Sequence, residues 1–294
     1  MRFRISHETA YRYATPASES VGELRIYPGD TSVQEVSNFN IHLDPEVPVD
    51  TFVDYFGNTV GCFAIPWRHN KLRVRMTAEV GTCPPPDPGP AAEIPVGEAR
   101  RLSRGRRIEL YLYRQPTTTV PLGKVSDLLR KRFFRDSIPL REAVENLNSW
   151  IHTSFTYMPG VTEVSTPLSK VLKERRGVCQ DFAHLMLSFL RHNGLPARYV
   201  SGYIEPVDPD KAGGDKLVGA VASHAWVEVN LPDGSWWGLD PTNNQSAGER
   251  HVKVAVGRDY HDVAPLRGTF KGATDQKLQV IVSMERKGAS RRAP

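Results

Sequence analysis

Residues 177–204, GVCQDFAHLMLSFLRHNGLPARYVSGYI, predict a helix followed by a strand, and this unit decides the fold. From Cys179 onward, apolar residues recur at helical spacing along one stripe that comprises Phe182, Leu185, Met186, Phe189 and Leu190. The Asn-Gly-Leu-Pro run at 193–196 is typical of a helix end, and residues 197–204 then favour a strand. A thiol therefore stands at the first turn of a buried helix.

The segments around this unit place helices before it and strands after it. Helical periodicity marks three earlier segments, at residues 124–134, 141–155 and 165–177. Strand patterns follow at residues 224–231, 235–240 and 278–284. Helices that precede a run of hairpin-linked strands predict an α+β domain in which the helices pack on an antiparallel sheet.

The first eighty or so residues alternate with a period of two, and Gly57-Asn58 supplies a hairpin turn signal. We therefore expect an N-terminal antiparallel β domain. The proline-rich run CPPPDPGPAAEIPVG at 83–97 then excludes a regular helix or central strand and predicts a linker. The predicted organisation is a β domain at 1–82, a linker or wrapping segment at 83–119, a catalytic domain at 120–285 and a basic flexible tail at 286–294.

Composition places the chain among soluble globular proteins and excludes several classes. Of the 294 residues, 39% are hydrophobic and 24% are charged, and no apolar run approaches the ~20 residues of a membrane span. The N-terminus shows no signal peptide, and three cysteines are too few for a disulfide scaffold, so we expect a cytoplasmic protein. The net charge of +5 comes largely from basic runs without interleaved aromatics, which argues against nucleic-acid binding.

A cysteine at a helix N-terminus is favoured as thiolate by the helix dipole and the free backbone N–H groups. Asp181 would oppose this if its carboxylate turned toward the sulfur, because a nearby negative charge raises a thiol pKa. Acyl transfer also needs a base, and His224 is the best candidate, since it begins a strand and lies off the apolar face.

The hairpin that follows His224 decides whether Asp240 can orient it. A two-residue Asp-Gly loop would place Val227 opposite Asp240 and point His224 to the other face. A three-residue loop at 232–234 would instead place Trp226 opposite Asp240, with His224 diagonally adjacent on the same face. The Pro-Asp-Gly sequence of this loop favours the second register.

Three motifs carry a family resemblance: GVCQDFAHLMLSFLRHNGLPARYVSGYI, SHAWVEV and GLDPTNN. Together they resemble the transglutaminase-like superfamily, which has a papain-like α+β core, over residues 140–245. The segments HETAYRYATPASESVGELRIYP and DYFGN also resemble the β domain that precedes this core in a bacterial subgroup of proposed cysteine proteases. The resemblance implies that Cys179 is the nucleophile, His224 the general base and acid, and Asp240 the carboxylate that orients the histidine.

This interpretation predicts an enzyme that acts on a peptide or protein substrate. It would cleave a peptide or isopeptide amide bond through a thioester intermediate on the cysteine. Hydrolysis is our first choice; a protein-glutamine cross-linking transglutaminase and a catalytically silent scaffold are the alternatives. The Cys179 N–H and the Tyr157 side chain are candidate oxyanion donors. Gln180 and Trp226 are candidates for the cleft lining.

Other chemistry-bearing residues have simpler interpretations. Cys62 and Cys83 are expected to be inert thiols, and His184 a core or capping histidine. The acidic loop at 205–216 lacks the EF-hand pattern and is expected to be solvated, and a zinc site at Cys179 and His224 lacks paired spacing. We therefore expect no metal and no cofactor.

Overall fold

The computed structural model describes residues 1–106, 108–122, 133–206, 217–218, 223–273 and 275–288. Three predicted features fall largely outside these residues: most of the helix at 124–134, most of the acidic loop at 205–216 and most of the tail at 286–294. The remaining elements form two antiparallel sheets, a short two-stranded sheet and several helices. The predicted α+β fold with an N-terminal antiparallel β region is confirmed.

The larger sheet has seven strands and is organised around the long first strand, which follows the predicted period-two pattern. The strands are β1 (Arg2–Leu24), β2 (Gln34–Asp44), β3 (Asp50–Val53), β4 (Thr59–Ile65), β5 (His69–Thr82), β13 (Leu266–Lys271) and β14 (Gln276–Arg286). One edge of β1 pairs with β4 and β5, and its other edge pairs with β13 and β14.

The last two strands are a difference from the predicted domain boundaries. The sequence prediction places residues 266–285 in the catalytic domain, whereas in the structure these residues pair with β1, from the Leu24–Leu266 pair to the Phe3–Arg286 pair. Alternating hydrophobicity identifies a strand but carries no information about its partner, so this long-range pairing lies beyond a local pattern.

The proline-rich segment is more ordered than predicted. It contains a short helix, α1 (Gly89–Glu93), which is followed by α2 (Val96–Gly105). Excluding a helix from 83–97 was therefore wrong. Pro90 stands in the first turn of α1, where a missing N–H costs no intrahelical hydrogen bond.

Within residues 133–206, which the structure describes, lie the helices α3 (Leu140–Ser154), α4 (Leu168–Glu174) and α5 (Cys179–His192). α5 is the central element, because it packs against α3, α4 and two strands of the second sheet. All its residues except Gln180 and His192 are buried, so the apolar stripe predicted from the sequence covers only part of the buried surface. This burial holds the N-terminus of α5 inside the protein.

The second sheet has five strands, β8 (Ala197–Ile204), β9 (His224–Asn230), β10 (Trp236–Asp240), β11 (Gln245–Ser246) and β12 (His251–Gly257). Their order in the sheet is β11-β10-β9-β8-β12. A short parallel pair, β6 (Thr156–Tyr157) and β7 (Arg176–Gly177), leads into α5, and a one-turn helix, α6 (Tyr260–Val263), follows β12. α5 packs against β9, the strand that begins at His224.

Candidate active site

Cys179 is the first residue of α5, and Asp181 organises the chain there. The Asp181 Oδ2 accepts hydrogen bonds from the Val178 N–H at 2.8 Å and from the Thr162 hydroxyl at 2.7 Å. Burial raises the pKa of Asp181, and these two donors act in the opposite direction. A Cβ at Gly177 would lie 2.7 Å from the same carboxylate oxygen, so only glycine fits before the capped turn. The carboxylate that could have opposed a thiolate is thus turned to the helix start.

The β9–β10 hairpin has the three-residue loop that the sequence predicts. The Leu231 N–H donates to the Ser235 carbonyl at 2.9 Å, and Gly234 has a φ of +94°, the conformation of the bulge position. Leu239 pairs with Val227, so the next step of the register places Asp240 opposite Trp226. The predicted register is confirmed.

His224 and Asp240 are hydrogen-bonded in the interior. The His224 Nε2 lies 2.8 Å from the Asp240 Oδ2, and neither side chain is exposed. Burial lowers the pKa of His224. The charge and hydrogen bond of Asp240, together with the Cys179 thiol, outweigh this effect and raise the pKa to about 10. Burial raises the pKa of Asp240, and the hydrogen bonds and charges of His224 and His251 outweigh it, holding that pKa well below its usual range.

The Cys179 thiol is a neighbour of His224. Cys179 is buried and forms no disulfide, and its thiol is one of the groups that raise the pKa of the histidine. The His224 Nδ1 is buried and has no hydrogen-bond partner among the residues that the structure describes. A free ring nitrogen next to a thiol, with the other nitrogen fixed by a carboxylate, is an arrangement that can accept the thiol proton.

The other predicted site residues have different positions. Tyr157 is close to the thiol: burial and the Cys179 charge raise the pKa of Tyr157 to about 12, so the phenol keeps its proton. Gln180 is half-buried beside Cys179 on α5. Trp226 is only 1% exposed and its ring stacks against the His224 ring at 6.2 Å, so it packs against the histidine and does not line an open cleft. Its strand, β9, is the central strand of the five-stranded sheet, where a large aromatic side chain is covered by the surrounding residues.

Three further residues contact Asp240, and sequence reasoning did not single them out. The Thr242 backbone N–H donates to Oδ1 at 2.9 Å. The Asn243 side-chain amide donates to Oδ2 at 2.7 Å, and its backbone N–H lies 3.2 Å from Oδ1. The His251 Nε2 lies 3.2 Å from Oδ2. A signal for His251 was present, because HVKVAVG begins with a histidine before alternating apolar residues, as HAWVEVN does at His224.

In the described ranges, His224, Asp240 and His251 also form the one group of three potential metal ligands, with ligand atoms within 4.8 Å of one another. Hydrogen bonds at 2.8 and 3.2 Å already join these atoms, so the arrangement is accounted for by N–H donation to a carboxylate. Of the remaining candidates, Cys62 is half-buried and Cys83 exposed. His184 is a core histidine that accepts a hydrogen bond from the Tyr260 N–H.

The chain is similar to known proteins over both of its parts. Residues 129–241 match the family model of the transglutaminase-like superfamily, and residues 3–81 match that of the bacterial transglutaminase-like N-terminal region. Protein ML0607 of Mycobacterium leprae is 35% identical over 97% of this chain and 99% of its own length. A protein-glutamine gamma-glutamyltransferase of Pseudomonas aeruginosa is 30% identical over 48% of this chain and 20% of its own length.

A solved structure from Cytophaga hutchinsonii, named as a proposed cysteine protease, superposes with a TM-score of 0.75. It covers 97% of this chain and 90% of that one at 22% identity, so the likeness is one of fold. Among the helices that the structure describes, none is long and apolar enough to cross a membrane. The two family models and the full-length relative establish that this chain belongs to the transglutaminase-like superfamily.

Proposed function

We propose that this protein is a thiol-dependent acyl-transfer enzyme that hydrolyses a peptide or isopeptide amide. One observation carries the proposal: the Cys179 thiol lies beside a histidine whose far nitrogen is fixed by a buried carboxylate. This is the arrangement of nucleophile, base and orienting group that covalent acyl transfer requires.

Because the pKa of His224 is raised to about 10, its Nδ1 already holds the proton of the Cys179 thiol at neutral pH, and in the first half-reaction the thiolate attacks the amide carbonyl carbon. The tetrahedral oxyanion would accept hydrogen bonds from the Cys179 N–H and from the Tyr157 hydroxyl. As the C–N bond breaks, His224 returns the proton to the leaving amine, and a thioester remains on Cys179.

In the second half-reaction, His224 takes a proton from water, and the resulting hydroxide attacks the thioester carbonyl. The C–S bond breaks, a carboxylic acid leaves, and the proton on His224 returns to the sulfur. A primary amine in place of water would give a new amide, which is the transglutaminase reaction. The name of the Pseudomonas aeruginosa relative supports keeping that alternative.

The first test is the iodoacetamide alkylation rate of each cysteine from pH 5 to 9, resolved by mass spectrometry. We expect Cys179, although it is buried, to react faster at pH 6 than the exposed Cys83. The advantage should disappear in a His224→Ala variant and persist in His42→Ala, which alters an exposed histidine on β2. Equal rates for Cys179 and Cys83 in the parent protein would overturn the proposal and favour a scaffold.

The second test separates water from amine as acceptor. A peptide library is incubated with the protein in the presence and absence of a labelled primary amine, and products are identified by mass. Hydrolysis predicts cleaved peptides whose yield the amine leaves largely unchanged, whereas transamidation predicts label at glutamine. A Cys179→Ala protein should abolish either product. Cytoplasmic localisation belongs to the same proposal, and fractionation of the native host tests it.

A further inference from the structure

β12 is the outer strand of the five-stranded sheet, so one of its edges has no strand beside it within the described residues. Two side chains of the seven-stranded sheet fill this edge. Gln34, at the start of β2, accepts from the Lys253 N–H at 2.8 Å and donates to the Lys253 carbonyl at 2.9 Å. Asn58, in the hairpin before β4, does the same to Val256, at 2.8 Å for each bond.

A side-chain amide has a carbonyl oxygen that accepts and an NH2 group that donates, so it can pair with a strand edge as a peptide unit does. Gln34 and Asn58 are each only 6% exposed, so their bonds to β12 are shielded from competing water. The two amides therefore replace the neighbouring strand that β12 lacks. Both residues make further hydrogen bonds that fix their positions. Gln34 donates to the Gly29 carbonyl, and Asn58 donates to the Asp54 carboxylate.

The first residue of β12 is His251, whose two ring nitrogens have different partners. The Gly248 N–H donates to the Nδ1 at 3.2 Å, so this nitrogen carries no proton. The Nε2 must then carry the ring proton, and it donates to the Asp240 Oδ2 at 3.2 Å. Burial lowers the pKa of His251 and keeps the ring neutral, although Asp240 acts in the opposite direction.

The turn before His251 is also joined to the larger sheet. The Thr82 hydroxyl, at the end of β5, donates to the Glu249 carbonyl at 2.8 Å. The ring of His251 meets Trp226 edge-on at 5.3 Å, on the same side of the sheet as His224. The segment around His251 is therefore in contact with the seven-stranded sheet through Thr82, and with the candidate site through Trp226.

From these contacts, we propose that His251 is a positioning residue for Asp240, and that the seven-stranded sheet fixes it there through Gln34 and Asn58. The inference rests on the proposed function and assigns the N-terminal β region a part in it. Asp240 would orient His224 correctly only while His251 holds the second side of its Oδ2, and His251 would hold it only while β12 keeps its place.

The first test compares His251→Phe, which keeps a ring but has no donor, with His251→Gln, whose amide can still donate. A hydrogen bond to a charged group corresponds to roughly a tenfold effect or more, so we expect Cys179 alkylation at pH 6 to slow about tenfold in the Phe variant. The Gln variant should recover most of the rate, and His42→Phe should leave it unchanged. Equal loss in the Phe and Gln variants would reduce His251 to a packing role and overturn the proposal.

The second test asks whether the larger sheet acts through His251. Gln34→Ala and Asn58→Ala are combined in one protein, with Gln279→Ala on the exposed face of β14 as the control. We expect the double variant to slow Cys179 alkylation in the parent protein and to add little in the His251→Phe background, since coupled residues are not additive. Additive losses would mean that the two amides act independently of His251.

A third measurement does not depend on thiol reactivity. Proton exchange at the His224 Nε2, followed by NMR, should be at least several-fold faster in His251→Phe than in the parent protein or His251→Gln. If exchange is unchanged, His251 does not position Asp240. If exchange accelerates while the parent Cys179 is as slow as Cys83, the positioning role stands and the proposed acyl-transfer function fails.

Discussion

His224 and Asp240 hold one another across neighbouring strands: the Nε2 of the histidine lies 2.8 Å from the Oδ2 of the aspartate, and both side chains are fully buried. Their pKa values move in opposite directions, that of His224 up to about 10 and that of Asp240 down. The pair therefore keeps both charges across the neutral range, and this has consequences for stability as well as chemistry.

Asp240→Asn should change the pH dependence of folding. The stability from Asp240, whose folded pKa is lowered, is present above its unfolded pKa of about 3.9 and is lost as pH falls further. The stability from His224, whose folded pKa is raised, is complete below its unfolded pKa of about 6.5 and is lost as pH rises toward 10. The pair thus stabilises most between about pH 4 and 6.5.

We expect the difference in unfolding free energy between the parent and Asp240→Asn to be largest near pH 5 and to shrink toward pH 9.5. Urea unfolding at pH 5, 7.5 and 9.5 measures it. Asp50→Asn, which alters an exposed carboxylate on β3, serves as the control and should give a constant difference. A constant difference for Asp240→Asn as well would contradict the ion-pair account.

Tyr157→Phe separates binding of the oxyanion from activation of the thiol. Because the pKa of Tyr157 is raised to about 12, its hydroxyl remains a donor at neutral pH. Loss of one oxyanion donor costs roughly 10²–10³ in rate, so amide cleavage should fall by about this factor while Cys179 alkylation stays near the parent rate. Tyr111→Phe, at an exposed position, is the control. Parallel loss of both activities would assign Tyr157 to the environment of the thiol instead.

Gly202→Ala should disturb the sheet beneath the candidate site. Gly202 pairs with His224, and a Cβ there would lie 2.1 Å from the Val252 carbonyl oxygen and 2.5 Å from the Trp226 ring. A backbone carbonyl in a sheet cannot move aside cheaply, so we expect a loss of about 1–3 kcal/mol in unfolding free energy. Gly29→Ala, where nothing lies within 4 Å, is the matched control. Chemical denaturation of both variants checks the difference, and equal stabilities would refute it.

His7 should make the protein sensitive to acid. Its ring nitrogens contact the Tyr203 and Thr9 hydroxyls, and burial lowers its pKa to about 4. For a lowered pKa, the stabilising contribution is present above the unfolded value of about 6.5 and is lost as pH falls toward 4, up to about 3 kcal/mol.

His7→Gln, which keeps polar atoms at this position but does not titrate, should flatten the fall in unfolding free energy between pH 6.5 and 4.5. The exposed His42→Gln should leave the slope of the parent. Identical slopes in all three proteins would mean that His7 is not the group that titrates.

The hairpin at the site could be predicted because its register depends on local chemistry. Pro232 and Gly234 specify a three-residue loop, and the loop alone determines which residues face Asp240. His251 could not be predicted in this way. Its approach to Asp240 depends on β12 joining the far side of β8, with a register shift between Lys253 and Ala255, and neither feature is encoded next to His251 in the chain.

The same distinction explains the fold. The apolar stripe of α5 predicted the helix, and period-two alternation predicted β1 and β5, because each pattern lies within one segment. The pairing of β14 with β1 depends on contacts between distant segments, and so does the burial of Trp226. Proline signals also mislead when the residue falls in a first turn, as Pro90 does.

The position of β1, with one edge against β4 and β5 and the other against β13 and β14, has a consequence for biosynthesis. Its first edge can pair as soon as residues 59–82 have left the ribosome, but its second edge must wait for residues 266–286. During the whole interval in which the thiol-bearing helix and the five-stranded sheet are made, the nascent protein carries an unpaired β edge. Such edges invite pairing with other chains, so this growing chain is most exposed to aggregation before its final strands emerge.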